Sequence, residues 1–391
     1  MILHFVKDEK VVDQIIENFS RVYDQNIFLV FCRDVDGHLF RHIKHTEKVQ
    51  CFDPIDNNIN NVIAKNKVRS ILVHGLFVEF IETILKIEKE LRIGWYVWGF
   101  DLYGLPKIRP EIYAPITDQF LMKNTKLLRL RRVLRKNRIA RKFYYQILVN
   151  KVDPLEFRFK ALVKMQFFIS YLKEDYDYFG RYYKNNLTFI DTPFSTIDQY
   201  LAGNRGEKLD SNAKNILIGN SNSPESNHLD VLLMLKNTLS KSELANIDIY
   251  VPLSYGENDK YKDEIIGTGK SFFRDIFKPM LTFMDRDSYM NVLLSCSIGI
   301  FFHYRQQAMG NIIAMLWFGS RIYLSKKNPA YYFFKRKNMH VFDLESEFSI
   351  YKLAPLDDNQ IKENRTQLNN MFSGDNIDNG LKVLIQVLLD E

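Results

Sequence analysis

Short apolar runs alternate with helical segments along most of the chain. In the first half, buried strands are predicted by the apolar runs at residues 2–6, 26–32, 49–52, 70–75 and 94–99. Residues 9–23 and 77–91 have apolar side chains at helical spacing, and residues 54–66 are typical of a polar helix. Residues 106–200 are less regular. Strands that alternate with helices favour parallel pairing in an α/β layer.

The same alternation restarts after a short polar segment at residues 203–214. Six further strands are predicted at residues 216–219, 247–253, 280–284, 298–303, 321–324 and 341–343, with helices between them. The sequence therefore predicts an N-terminal domain at residues 1–202, a linker at 203–214 and a C-terminal domain at 215–391. The last helix, residues 380–389, is apolar on one face and is expected to pack back across the molecule.

Two Rossmann-like α/β domains in tandem suggest a ligand held across a cleft between them. This organisation, the GT-B type, is typical of sugar-nucleotide transferases. A dinucleotide-dependent enzyme is less favoured, because no G-x-G-x-x-G motif follows any predicted strand. The chain also has no Walker loop.

The stretch that opens the C-terminal domain is a candidate phosphate site. Gly219, Asn220 and Ser221 follow an apolar strand, and Ser223 and Pro224 suit the N-cap and first position of the next helix. Such a loop directs backbone N–H groups and a helix dipole at one place, which favours an anion. An ordinary strand-to-helix turn is the alternative interpretation.

A later strand end carries residues that folding does not require. Arg305 can pair with a pyrophosphate, and the amides of Gln306 and Gln307 suit sugar hydroxyls or an N-acetyl group. Gly310 would let the following helix begin close to a ligand. In the N-terminal domain, His74 and Asp101 follow strands and are candidate general bases, although each also suits a capping or core role.

The formal net charge of +7 suits an anionic partner. Residues 123–142 contain ten Lys or Arg and no Asp or Glu, with apolar side chains on one helical face. A basic amphipathic helix of this kind favours an anionic membrane surface, although a solvated helix packed on the domain has the same pattern. The candidate membrane and acceptor residues are Arg129, Arg131, Arg132, Arg135 and Arg138. No zinc spacing or RNA-binding signature supports a nucleic-acid partner.

Three well-separated cysteines without metal-ligand spacing favour a reducing compartment, and we see no signal peptide and no apolar run long enough to span a bilayer.

Three Asp-x-Asp triplets occur, and of these only Asp34 and Asp36 follow a strand. A metal-dependent transferase that uses this pair is one alternative function. The other is a non-enzymatic basic protein that binds membrane or nucleic acid. Asp285 is better explained as a helix N-cap.

Five short motifs occur in order at fitting spacing. They are His74-Gly75, Trp98-Gly99-x-Asp101-Leu102-Tyr103, Ile218-Gly219-Asn220-Ser221 with Asn227-His228, Val251-Pro252-x-x-Tyr255, and Arg305-Gln306-Gln307-x-x-Gly310. In these residues the chain resembles the TDP-N-acetylfucosamine:lipid II N-acetylfucosaminyltransferases of enterobacterial common antigen synthesis. The resemblance covers roughly residues 70–104 and 215–345. Residues 105–200 depart from the family's pattern, and relatives occur in O-antigen and capsule gene sets.

The resemblance implies the GT-B fold and transfer of 4-acetamido-4,6-dideoxygalactose, or a similar sugar, from a dTDP-sugar to an undecaprenyl-pyrophosphate-linked glycan. It also implies a cytoplasmic protein that is peripheral on the inner face of the bacterial inner membrane, without a cofactor or a required metal. In this interpretation Gly219, Asn220, Ser221 and Asn227 bind the donor, and His228 and Arg305 neutralise its diphosphate. Pro252 and Tyr255 flank the thymidine, and Gln306 and Gln307 contact the sugar.

Overall fold

A computed structural model of the protein describes residues 1–33, 38–105, 107–108, 112–125, 129–130, 134, 137–148, 154–184, 186–210, 212–256 and 258–389. The chain divides into two compact units. The first unit comprises Met1–Arg109, Leu134–Thr196 and Phe372–Glu391. The second unit comprises Pro110–Val133 and Ile197–Met371.

The first unit contains a parallel sheet of seven strands in the order β3-β2-β1-β4-β5-β6-β7. The strands are β1 Ile2–Val6, β2 Asn26–Phe31, β3 Val49–Phe52, β4 Ser70–His74, β5 Arg92–Tyr96, β6 Phe167–Ser170 and β7 Thr188–Asp191. Both β1 and β4 are buried along their whole length. Parallel strands that are covered on both faces read as continuous apolar runs, which is the pattern in the sequence.

The helices of the first unit are α1 Val12–Val22, α2 Ile59–Lys65, α3 Val78–Leu85, α4 Phe100–Tyr103, α6 Arg138–Phe143, α7 Pro154–Val163, α8 Lys173–Tyr182 and α17 Gly374–Leu389. A 3₁₀ turn lies at Thr46–Lys48, and a π-helical turn, Tyr144–Leu148, follows α6. Leu384 and Leu388 of α17 belong to one buried cluster with Ile15 and Phe19 of α1. The last helix therefore completes the core of the first unit.

The second unit contains a parallel sheet of six strands in the order β10-β9-β8-β11-β12-β13. The strands are β8 Ile216–Ile218, β9 Ile249–Pro252, β10 Phe277–Met280, β11 Ile298–Phe301, β12 Arg321–Leu324 and β13 Val341–Asp343. The helices are α5 Pro115–Asn124, α9 Ile197–Leu201, α10 His228–Thr238, α11 Asp259–Phe273, α12 Arg286–Ser295, α13 Met309–Phe318, α14 Pro329–Arg336, α15 Leu344–Tyr351 and α16 Asp358–Met371. Two 3₁₀ turns lie at Pro224–Ser226 and Arg274–Ile276.

In each sheet the first strand of the unit lies inside the sheet, with the second and third strands on one side and the fourth on the other. This is the doubly wound order of Rossmann domains. The strand order reverses between β1 and β4 in the first unit and between β8 and β11 in the second. Ligands of such domains bind outside the carboxyl ends of the strands at this switch point. In the second unit, this rule places a candidate ligand site at the loops after β8 and β11.

Most predicted strands are confirmed to within a few residues, but one is displaced and two strands were not predicted. The strand predicted at residues 280–284 is β10, Phe277–Met280. Pro279 obscured it, yet proline is tolerated because β10 lies at the edge of the sheet and pairs only with β9. The irregular region at 106–200 contains β6 and β7, which extend the first sheet.

The compact units divide the chain differently from the predicted domain boundaries. Residues 110–133 belong to the second unit, because Ala114 N donates to the Asn227 side chain at 2.8 Å and Ile116 N donates to Asp230 at 2.8 Å. The predicted linker is also part of the second unit, where Leu209 N donates to Phe318 O at 3.1 Å. Residues 372–391 belong to the first unit through the buried leucines of α17.

Candidate active site

The loops after β8 and β11 contact each other at the switch point of the second unit. Gly219 N donates to Ile300 O at 2.9 Å, which joins the two strand ends. Beyond the strands, Gln307 Nε2 donates to Asn220 Oδ1 at 2.9 Å. Two motifs that lie almost ninety residues apart are thus brought together, as the predicted sheet required. Their combined surface is the candidate donor site.

Gly219 is held in a conformation and a space that exclude a side chain. Its φ is +66°, in the left-handed region that favours glycine. A Cβ atom at this position would lie 2.7 Å from Nε2 of His228 and 3.2 Å from Cβ of Ser226. The glycine therefore lets the backbone turn directly against the buried His228 ring at the beginning of α10.

Two buried histidines lie under these loops. Burial lowers the pKa of His228 to about 3, and burial together with the charge of Arg305 holds the pKa of His303 well below its usual value. Both rings are consequently neutral at physiological pH. His228 was predicted to help neutralise the diphosphate; burial disfavours its charged form, so this role stays a prediction, and Arg305 is the cation of these two loops. His303, which the sequence did not indicate, lies with Nε2 3.2 Å from the hydroxyl of Ser226.

Several buried polar atoms of these loops have no partner among the residues that the structure describes. They are both ring nitrogens of His228, Nδ1 of His303, Oε1 of Gln307 and Oδ1 of Asn222. Buried polar groups almost always have a hydrogen-bond partner, and leaving one without costs about 1–3 kcal/mol. Such a concentration at a switch point is typical of a site completed by a polar ligand or by water.

Asn227, a predicted donor residue, has a structural role in this arrangement. It adopts a left-handed conformation with a φ of 52°. Its side chain accepts from Ala114 N at 2.8 Å and donates to Phe302 O at 2.8 Å. Ser223 and Pro224 take the predicted N-cap and first positions, but of the 3₁₀ turn, and the Ser223 side chain makes no capping hydrogen bond. The helix α10 begins only at His228. The left-handed conformation of Asn227 separates the 3₁₀ turn from α10.

The loop after β9 joins the same site through Asn222. Asn222 N donates to Tyr255 O at 2.8 Å, and its side-chain amide lies 3.4 Å from Gly256 O. Gly256 has a φ of +125°, and a Cβ there would overlap the Asn222 side chain. Pro252 is buried, whereas the Tyr255 side chain is 75% exposed. The exposed phenol leaves an aromatic surface beside the donor loops.

The N-terminus of α13 is distinct among the six helices that follow the strands of this sheet. Four of them have an N-cap side chain that accepts a backbone N–H: Asn258, Asp285, Asn328 and Asp343. Asp285 thus fulfils its predicted capping role. In α10, the hydroxyl of Tyr261 accepts from His228 N at 3.0 Å. In α13, the N-cap residue is Ala308, whose side chain offers no acceptor.

Ala308 also has an unfavourable backbone conformation, with a φ of +61°. A non-glycine residue in this region costs about 1–2 kcal/mol, and such strain is concentrated at ligand sites. The preceding residues, Arg305, Gln306 and Gln307, are partly exposed, and Gly310 is exposed in the first turn. The loop therefore presents a cation, two amides and an uncapped helix N-terminus at the switch point, which together favour an anion.

Asp101, a predicted base, is fully engaged by the protein. It is 2% exposed. Oδ2 accepts from Trp95 Nε1 at 2.6 Å and Leu76 N at 3.0 Å, and Oδ1 accepts from Trp98 N at 3.1 Å and Leu102 N at 2.9 Å. A carboxylate offers about four lone-pair positions, and all are occupied. Burial raises the pKa of Asp101, and the four donors oppose that shift. The geometry therefore supports a structural role that joins the ends of β4 and β5.

His74, the other predicted base, belongs to a chain of buried polar groups at the switch point of the first unit. Nε2 of His74 lies 3.0 Å from Nδ1 of His4, and Nε2 of His4 lies 3.0 Å from Oδ1 of Asn26. Since the amide oxygen of Asn26 only accepts, His4 donates through Nε2 and accepts from His74 through Nδ1. Nδ1 of His74 is then left as an acceptor. Burial and the neighbouring His4 hold the pKa of His74 well below its usual value, so the ring is neutral.

Several predicted residues of the basic segment lie outside the described part of the chain, namely Arg131, Arg132 and Arg135, and so do Asp34 and Asp36. The side chain of Arg129 is exposed, and its Nε donates to Met122 O at 2.5 Å. Arg138 begins α6. Within the described ranges, no His, Cys, Asp or Glu residues cluster in threes as a metal site would require, and no helix is long and apolar enough to cross a membrane.

Several solved structures have this architecture over the whole length of the chain. A glycosyltransferase from Rickettsia africae matches with a TM-score of 0.63 at 12% identity, over 100% of this chain and 98% of that one. A trehalose-6-phosphate protein from E. coli, solved with UDP-2-fluoro glucose, matches with a TM-score of 0.63 at 9% identity, over 100% and 99% of the two chains. Sucrose-phosphate synthase from Thermosynechococcus elongatus gives 0.63 at 8% identity over the same shares. These likenesses confirm the predicted GT-B fold.

The amino-acid sequence itself identifies the family. The model of the 4-alpha-L-fucosyltransferase family, glycosyl transferase group 56, matches residues 166–377. The match spans more than half of the 391 residues and includes the three loops of the candidate donor site. It confirms the resemblance drawn from the five motifs and establishes that the protein is a transferase that uses a nucleotide-sugar donor and an acceptor. The chain belongs to the 4-alpha-L-fucosyltransferase family, glycosyl transferase group 56.

Proposed function

We propose that this glycosyltransferase moves 4-acetamido-4,6-dideoxygalactose, or a closely related deoxyamino sugar, from a dTDP-sugar to an undecaprenyl-pyrophosphate-linked glycan. The sugar, the nucleotide and the lipid-linked acceptor come from the motif resemblance. The geometry of the second unit supports the donor half of the reaction. A role in bacterial surface polysaccharide synthesis, such as enterobacterial common antigen or O-antigen, follows from the same chemistry.

The uncapped N-terminus of α13 is the observation that carries the donor site. In this proposal the diphosphate binds between that helix end and the loop of Gly219, Asn220 and Ser221. Backbone N–H groups and the helix dipole stabilise the negative charge. Arg305 adds a charge-assisted hydrogen bond that strengthens as the nucleoside diphosphate leaves, because the leaving group gains negative charge at that step.

The remaining donor contacts are assigned by their chemistry. Gln306 and Gln307 offer both donors and acceptors to sugar hydroxyls or an N-acetyl group. The buried, unpaired Oε1 of Gln307 is one of the acceptors that a bound donor would satisfy. The exposed ring of Tyr255, beside Pro252, would stack on the thymine. UDP-2-fluoro glucose in the E. coli neighbour supports a nucleotide-sugar site in this fold.

The acceptor half is proposed for the N-terminal domain. There the hydrogen-bond chain from Asn26 through His4 would leave Nδ1 of His74 as an acceptor for the hydroxyl of the acceptor sugar. Since burial lowers the pKa of His74, full proton transfer would require the negative charge of the bound acceptor to raise that pKa. A base is needed only if the reaction inverts the anomeric centre. Asp101 is not proposed as this base, since its four acceptor positions are occupied.

A lipid-linked acceptor requires the enzyme to work at a membrane. We propose peripheral attachment to the cytoplasmic face of the inner membrane through the basic segment at residues 123–142. Its cations suit anionic headgroups, and each one that reaches the membrane surface would contribute about 1 kcal/mol.

A melting screen with dTDP, UDP, GDP and ADP tests the donor proposal. A ligand that binds only the folded state stabilises it by about 2.7 kcal/mol at one hundred times its dissociation constant. We expect dTDP to raise the melting temperature most, and we expect Arg305→Ala to reduce that shift. A larger shift with UDP would assign another donor, and no shift with any of the four would contradict the donor site.

A further inference from the structure

Helix α6 and the π-helical turn after it expose their apolar side chains. The exposed fractions are 81% for Ile139, 55% for Phe143 and 65% for Ile147. These residues are four apart, so they lie along one side of the helical segment. We call them the 139–147 face. In the same segment, Arg141 is only 7% exposed. The usual arrangement of a surface helix, with apolar residues inward and charged residues outward, is reversed here.

The neighbouring helix α7 repeats the pattern. Phe159 is 47% exposed and Val163 is 68% exposed, again four residues apart. The two helices are joined by an ion pair in which Lys142 Nζ lies 3.0 Å from a carboxylate oxygen of Glu156. Residues 139–163 thus contribute five of the large exposed apolar side chains of the first unit. Large apolar side chains exposed at helical spacing on two helices that an ion pair joins indicate an interaction surface.

The charge of the flanking chain identifies the partner. The residues immediately before the 139–147 face, 123–138, contain eight Lys or Arg, and no Asp or Glu occurs between residues 123 and 152. Aliphatic and aromatic side chains that follow a dense run of positive charge in the sequence match a bilayer with anionic headgroups, which offers an apolar interior under a negative surface. Tyr144 and Tyr145 are half-buried between the apolar positions, and tyrosine favours the headgroup level of a membrane.

We propose that the 139–147 face inserts into the apolar layer of an anionic bilayer, with the flanking cations held at its headgroups. The inference rests on the proposed function, because a lipid-linked acceptor gives the enzyme a reason to dock. It goes further by assigning the attachment to inserted apolar side chains as well as to charge. Binding should therefore persist in part at salt concentrations that screen the cations.

The test compares two triple variants of the full chain that have the same net charge. The first variant removes the 139–147 face by the substitutions Ile139→Ser, Phe143→Ser and Ile147→Ser. The control variant carries Leu39→Ser, Ile55→Ser and Val383→Ser. These side chains lie elsewhere in the first unit and are 89%, 76% and 52% exposed. We expect the first variant to bind phosphatidylglycerol-containing vesicles at least about tenfold more weakly than the parent, and the control to bind as the parent does. Equal binding of all three proteins would overturn the proposal.

Two further readouts keep the result unambiguous. The variant Phe143→Trp should gain a blue-shifted fluorescence component on phosphatidylglycerol vesicles, and an unshifted spectrum would contradict insertion. If the parent is a dimer that the Ser variant dissociates while vesicle binding stays unchanged, the face joins two copies and the proposal fails. Stabilisation by dTDP, measured without lipid, should be equal in parent and Ser variant. Its absence from both would contradict the donor proposal and leave the vesicle result standing.

Discussion

Replacement of Arg305 by alanine is expected to lower turnover of the nucleotide-sugar donor by at least about tenfold while the protein stays folded. Arg305 lies in the loop between β11 and α13, and it is the cation of the two loops that meet at the switch point. Its charge would act most strongly on the leaving diphosphate. The maximal rate should therefore fall more than the affinity for the donor.

Steady-state kinetics with the natural donor, together with a melting curve, measure this effect. Arg305→Lys should recover part of the rate, because it keeps the charge but loses the bidentate geometry. Arg181→Ala is the matched control, since Arg181 is an exposed arginine on α8 of the first unit. Unchanged turnover in Arg305→Ala would remove Arg305 from the site.

Replacement of Asp101 by asparagine is expected to lower the free energy of unfolding of the first unit by about 2–5 kcal/mol. The new amide would face two of the four N–H groups that now donate to the carboxylate, among them Trp95 Nε1 or the backbone N–H of Leu102. Those donors would be buried without an acceptor. The rate per folded molecule should change only a few-fold, because the residue has no lone pair to offer a substrate.

Denaturant unfolding and the rate measured well below the melting temperature separate the two roles of Asp101. A general base would show the opposite pattern, with little loss of stability and a rate reduced by roughly 10²–10⁴-fold. Asp177→Asn is the control, since Asp177 is an exposed carboxylate of the same unit that pairs with Lys173. Its loss should cost only a few tenths of a kcal/mol.

The fold followed from the sequence because parallel strands buried on both faces are continuous apolar runs. Ile216–Ile218 and Ile298–Phe301 were visible for that reason. The strands Phe167–Ser170 and Thr188–Asp191 are not predicted, since they flank a helix rich in tyrosine in a region without clear strand–helix alternation. Helix α5 belongs to the second unit through backbone hydrogen bonds to the side chains of Asn227 and Asp230. These residues are more than a hundred positions away in the sequence, so a local pattern cannot reveal the contact.

The site was predictable only where motifs coincide with strand ends. The contact between Asn220 and Gln307 followed from placing both at carboxyl ends of neighbouring strands. His303 was not predicted as a site residue, although it ends a predicted strand, which is the same signal that indicated His74. Asp101 follows a predicted strand, and this position favours a general base. The sequence does not show that Leu76 N and Trp95 Nε1 donate hydrogen bonds to its carboxylate.

The central claim is that the donor diphosphate binds at the N-terminus of α13 beside the loop of Gly219 to Ser221. Hydrogen–deuterium exchange of the full chain with and without saturating dTDP tests this claim most directly. We predict slower exchange at residues 219–222 and 305–311 when dTDP is bound, because their N–H groups gain acceptors or are shielded. Protection confined to the first unit, or bound dTDP with no protection at these two loops, would contradict the claim.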